Sequence, residues 1–160
     1  MTARHGTRRI HRRGNAAIEF ALAFPVVLLL FCGLADFGLA LWDKSMLANA
    51  VAQGGYFAVI SGTTGSATAI QTLVQTSSKL SGVSATVSSP SSCYCITGTP
   101  LALAAATCRS TCADTTTAGY FVTISATYTY TSIVPGIYSL LLDTSLINPT
   151  IAEQTTVRLQ

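Results

Sequence analysis

An α+β fold is predicted: one long apolar N-terminal helix running on into a small domain whose helices cover an antiparallel sheet of three or four strands. Three features predict it. Gly14 to Trp42 is almost uncharged, Met46 to Ala58 repeats its apolar residues every three or four positions, and Tyr120 to Thr131 alternates between two faces. The first two patterns are helical and the third belongs to a strand. Helices and strands arriving in separate runs indicate α+β rather than alternating α/β architecture.

The apolar stretch comes first. From Phe20 to Ala35 no side chain is charged, and Phe37 to Trp42 resumes the apolar character after Asp36. About 20 helical residues cross a hydrocarbon core about 30 Å thick, so the sequence divides into a basic leader at 1–14, a spanning helix at 15–42 and a domain at 43–160. The 160 residues hold no second long apolar run, which excludes a multispanning transporter.

Charge sets the orientation. Arg4, Arg8, Arg9, Arg12 and Arg13 are five of the nine basic residues, leaving four basic against six acidic residues from Asn15 onward. A basic cluster beside a spanning helix stays cytoplasmic, so the domain is expected on the far side. With no second basic patch, nucleic acid is not expected as a partner. A cleaved secretory signal is the rival reading, but the apolar run flows into further helix where a small-residue cleavage site should lie.

After Trp42 the residues Met46, Leu47, Ala50, Val51, Gly54, Phe57 and Ala58 form one helical face, extending the helix to about Ile60. Pro25 lies inside it and removes one backbone donor, a defect that membrane helices tolerate. Gly54-Gly55 weakens the helix but permits close packing. Ser61 to Ala67 reads as a turn, and Ala67 to Leu80 as a shorter helix with Ile70, Leu73, Val74, Ser77 and Leu80 inward, stopped by Gly82. Val83, Ala85 and Val87 suggest a strand ended by Pro90. In the long strand Tyr120, Val122, Ile124, Ala126, Tyr128 and Tyr130 share one face. Pro135-Gly136 is a turn, Ile137 to Ile147 an apolar connection of undefined structure, and Ile151 to Leu159 a terminal strand.

Four cysteines, Cys93, Cys95, Cys108 and Cys112, lie in the polar body, whereas Cys32 lies in the apolar run. An even count in an extracytoplasmic domain points to two disulfides. Three pairings are open; a Cys93–Cys95 link would close a strained small loop, so links between the two groups are preferred. Such links would hold the Thr97 to Thr107 excursion onto the body. Zinc needs four converging ligands, and CxC with CxxxC is not its usual spacing. Both histidines, His5 and His11, are in the leader, the acids Asp114, Asp143 and Glu153 are isolated from one another in sequence, and the Ser and Thr residues lack a recognisable general-base partner. A structural or adhesive role is therefore expected, without cofactor or metal. A membrane-tethered envelope enzyme and an anchored envelope scaffold are the alternatives.

Two acids in the apolar run are costly. Glu19 lies at its entrance and Asp36 near its exit, where each must reach the interface, a cation or a neighbouring subunit. For Asp36 the readings are the outer boundary, a subunit contact, or a pair with Lys44. Arg12 to Trp42, RRGNAAIEFALAFPVVLLLFCGLADFGLALW, followed by SMLANAVAQGGYFAV, resembles the TadE-like family of tight-adherence (Tad/Flp) pilus-assembly proteins, minor pilins or pseudopilins. A later echo is FVTISATYTYTSIVPG. The resemblance implies a pilin-like domain and cleavage between Gly14 and Asn15 by a prepilin-type peptidase. It makes Glu19 the fifth mature residue, assisting subunit registration or membrane extraction. It also implies residence in the bacterial inner membrane, with other pilins, pseudopilins and the Tad secretion machinery as partners.

Overall fold

The computed structural model describes residues 12–98, 102–136 and 148–159, with 12–15 described by backbone only. The leader up to His11, the connection 137–147 and Gln160 lie outside the described residues. Seven principal elements follow in order: α1 (Arg12–Ser61), α2 (Ala67–Ser77), β1 (Ser84–Val87), β2 (Cys93–Thr97), β3 (Ala102–Ala106), β4 (Gly119–Thr129) and β5 (Thr150–Arg158). Two compact units divide the chain, 1–39 and 40–160.

The first unit is described as helix, and its apolar side chains face outward. Phe20 is 67 % exposed, Leu22 74 % and Leu30 70 %. Leaving such side chains in water forfeits about 1.5–3 kcal/mol each relative to burial. The segment therefore requires lipid or protein around it. Its most apolar window has a mean hydropathy of 2.4 and no buried residue, and the helix is long enough to cross a membrane. The helical assignment continues through Pro25.

In the second unit the same helix changes character. Leu47, Ala50, Val51 and Ala58 of α1 are buried with Ile70 and Val74 of α2, Ala85 of β1, and Val122, Ile124 and Ala126 of β4. The expected α1 face holds except at Met46, which is half-buried, and at Phe57, which is 38 % exposed. Its inward neighbour is instead Gly55, also buried. A side chain at Gly54 would place its Cβ 2.6 Å from Val74 Cγ2, whereas one at Gly55 would meet Val157 at 3.2 Å and Thr155 at 3.3 Å. Gly54 thus permits close approach to α2, and Gly55 to β5.

The end of α2 differs from the sequence expectation. Ser78, rather than Ser77, is fully buried; its hydroxyl donates to the Gln75 carbonyl at 2.8 Å and accepts from the Leu80 amide at 3.4 Å. The chain leaves the helix through Lys79 in the left-handed region, φ 56°, before reaching Gly82. Left-handed residues commonly terminate helices and are usually glycine, which is why Gly82 drew the prediction too far along.

All strand pairs are antiparallel. β4 is central, with β5 along one edge from Phe121↔Arg158 to Thr129↔Thr150. On its other edge it pairs with β1 near Ser125 and with β2 at Gly119 and Tyr120. β3 completes a hairpin with β2. The α+β class is as expected, but the sheet has five strands: β2 and β3 lie in the cysteine segment and in part of the excursion from Thr97 to Thr107. Cys, Ala and Thr in that stretch give no clear two-residue alternation, so its pairing was not legible.

Gly54→Ala adds about 1 kcal/mol of helix propensity, but overpacking a filled core costs about 1–3 kcal/mol. Because Val74 is β-branched and stiff, the clash should prevail, giving a net loss of about 1 kcal/mol. Gly55→Ala should lie within about 0.5 kcal/mol of wild type, the propensity gain offsetting its looser contacts. Denaturant unfolding of both variants checks this ordering; equal stabilities would refute it.

Candidate functional site

Four features of the described residues carry chemistry or contact surface. The first is the polar connection between α1 and the sheet. Asp43 and Lys44 follow Trp42 and lie against β4 and β5. The Asp43 carboxylate lies near the Tyr128 phenol, and Lys44 Nζ stands 3.6 Å from Glu153 Oε1. Burial first, then the neighbouring Asp43 carboxylate, raise the Tyr128 phenol above its ordinary value. The Lys44–Glu153 pair is exposed enough to contribute only about 0–1 kcal/mol. Glu153 shares the inward face of β5 with Ile151 and Thr155, which brings its carboxylate to α1. Sequence alternation placed Glu153 on that face but gave no sign of its partner.

The second is the disulfide lobe. Cys93 is joined to Cys108 and Cys95 to Cys112, with Cα separations of 5.1 and 5.6 Å. Residues 93 and 95 lie two apart on β2 and so share a face. Both are buried with Cys112 and Ala118 in a cluster separate from the main core. Beyond it, Asp114 Oδ1 accepts from Thr116 Oγ1 at 2.7 Å and from its amide at 3.2 Å. These bonds hold its carboxyl below the usual range and fix a turn in which Thr115 has φ 67°.

The third is a groove of about 650 Å³ between α1 and α2, lined by Asn49, Gln53, Tyr56, Phe57, Ile60 and Leu73. Tyr56 is 72 % exposed. The fourth is Arg158, whose guanidinium carbon lies 5.9 Å from the Phe121 ring centre, close to the cation–π range. A Cβ at Gly119 would lie 2.9 Å from Arg158 Nε, so glycine there leaves room for the guanidinium to lie against the backbone. Neither arrangement was legible in sequence, because each depends on the β4–β5 register.

Among the described residues no three His, Cys, Asp or Glu side chains gather as metal ligands. Gly14 and Asn15 lie within α1, Glu19 is exposed between Ile18 and Phe20, and Asp36 is half-buried. Lys44 is salt-bridged to Glu153. Cys32 is half-exposed and outside both disulfides.

A family model described as "TadE-like protein" matches residues 14–55. This segment is TadE-like. The match starts at Gly14, contains Glu19, Pro25 and Asp36, and ends at the Gly54-Gly55 pair, covering about a quarter of the chain. The TadE-like segment therefore includes both the exposed apolar helix and most of the part of α1 that supplies the core. No curated protein and no solved structure matches the chain significantly.

A raised phenol pKa means that the fold favours the neutral form. The Tyr128 contribution is complete below the unfolded value near 10 and is lost as pH rises through the folded value. Tyr128→Phe removes the titrating phenol and should leave stability at neutral pH within about 1 kcal/mol of wild type. It should also flatten the alkaline decline, and unfolding midpoints from about pH 8 to 11 compare the two proteins. Parallel declines would contradict this account of Tyr128.

Proposed function

We propose that this chain is a TadE-like minor pilin or pseudopilin that contributes to assembly, initiation or tip function of a Tad/Flp-type pilus, and so to surface adhesion. The observation that carries the reading is α1 itself. One helix has an outward-facing apolar length suited to lipid and a following length that forms the core of a small α+β unit, and the TadE-like match runs across both. The basic leader supports a cytoplasmic N-terminus and a domain outside the inner membrane. The disulfides support the same placement, since such bonds persist in oxidising compartments.

In this reading a prepilin-type peptidase cuts between Gly14 and Asn15, removing all five leader arginines. The protein then waits as a single-pass inner-membrane subunit. On assembly the apolar face of α1 exchanges lipid for neighbouring pilins, and this chain's own contacts call for no cofactor. The carboxylate of Glu19 is costly in lipid unless paired, and an amine created at Asn15 lies about one helical turn from it. Pairing between these groups, within or between subunits, favours the assembled register. Asp36 marks the outer boundary or a subunit contact.

Protein recovered from native envelopes is expected to begin at Asn15. N-terminal sequencing reads this directly, and an intact Met1 in cells with active prepilin peptidase would sink the processing step. Glu19→Ala should leave the outer domain folded but lower incorporation into pili about tenfold, comparable to losing about 1.4 kcal/mol of subunit registration. Unchanged incorporation, measured by immunoblotting sheared pili, would remove Glu19 from this role.

A further inference from the structure

β3 closes one end of the sheet, and among the described residues it pairs only with β2. The strand reads Ala102, Leu103, Ala104, Ala105, Ala106, and the chain carries no charged side chain from Leu80 to Cys108. Edge strands are ordinarily blunted by lysine, proline or a bulge. β3 contains neither residue, and its register with β2 runs unbroken from Thr97↔Ala102 to Cys93↔Ala106. Ala102, Ala104 and Ala105 are exposed, while Leu103 and Ala106 are half-buried. The disulfides from Cys93 and Cys95 to Cys108 and Cys112 fasten the hairpin to the following segment. The edge is thus held in an extended conformation before any partner arrives, which lowers the ordering cost of association.

We propose that β3 pairs antiparallel with β3 of a second copy of this chain, about a twofold axis at Ala104. In that register Ala104 faces Ala104, Ala102 faces Ala106, and Leu103 faces Ala105. The larger side chain meets a small one on each side of the axis, as a symmetric contact requires. No charge on β2 or β3 opposes the approach, and none selects a partner of opposite sign. The nearest charge, Arg109, lies beyond the paired residues. A contact of this length falls well below the area of a free-standing dimer interface. Tethering both copies in one membrane raises their effective concentration, so this inference rests on the anchoring part of the proposed function.

The test uses the full chain carrying Cys32→Ala and Ala104→Cys in phosphatidylcholine vesicles under mild oxidation. Residues facing one another across antiparallel strands stand about 4.5–5.5 Å apart at Cα, within disulfide reach. Peptide mapping should find the introduced thiols of two copies joined to each other at about ten times the yield of a Thr72→Cys control on the exposed side of α2, given locally paired strands in a shared membrane. Adding Ala105→Lys should return the yield to control. Vesicle flotation reads anchoring separately. Protein that floats and keeps both native disulfides but gives no link between the introduced thiols above control overturns the edge pairing alone. Links from the introduced thiol to other positions of a second copy overturn the register, and protein that does not float overturns the anchoring and the pairing that depends on it.

Discussion

The arrangement of the second unit depends on how closely α1 can lie against α2 and β5, and two adjacent glycines set that distance. Gly54 leaves room for Val74 Cγ2 where a Cβ would clash, and Gly55 lets Val157 and Thr155 approach the helix backbone. With the helix this close, Leu47, Ala50 and Val51 reach Val122 and Ile124 without larger side chains to bridge a gap. The helix gives up propensity at both positions. Packing at interior density offsets it.

The same helix carries two kinds of surface, and the change falls near Trp42. Before it, apolar side chains are exposed on all sides; after it, one face is buried and the other carries polar residues such as Asn49 and Gln53. Asp43 and Lys44 mark the transition, and both meet the sheet, Asp43 near Tyr128 and Lys44 at Glu153. The first charges beyond the apolar run thus orient α1 on β4 and β5. Their contribution is mainly geometric, because exposed pairs stabilise little.

Much of the fold was legible because long elements announce their period. The α1 face from Leu47 to Ala58, the Val122–Ile124–Ala126 face of β4 and the alternation of β5 all follow from three- and two-residue repeats. Short elements did not announce themselves. β2 and β3 lie among Ala, Cys and Thr, whose weak contrast between faces hid both the hairpin and the strand edge. α2 ends through a left-handed lysine because buried Ser78 stabilises the turn, a tertiary preference that local glycine statistics miss. Of the candidate site residues, the cysteines were recognisable by count, but their partners required the hairpin. The roles of Tyr128, Glu153 and Arg158 depended on strand register and were beyond reach of sequence spacing.

The separation of the two hydrophobic clusters has a consequence for the order of maturation. The main core, from Leu47 to Leu159, contains no cystine, whereas all four bonded cysteines belong to or pack on the smaller cluster. Collapse of α1 and α2 onto β4 therefore does not wait for oxidation. The helix-bearing half can form first and present Cys93 and Cys95 side by side on one face of β2, with oxidation then fastening the lateral lobe as a later event. Oxidation thus acts on the lobe that carries the exposed strand edge, leaving the helix-bearing core to form by apolar packing.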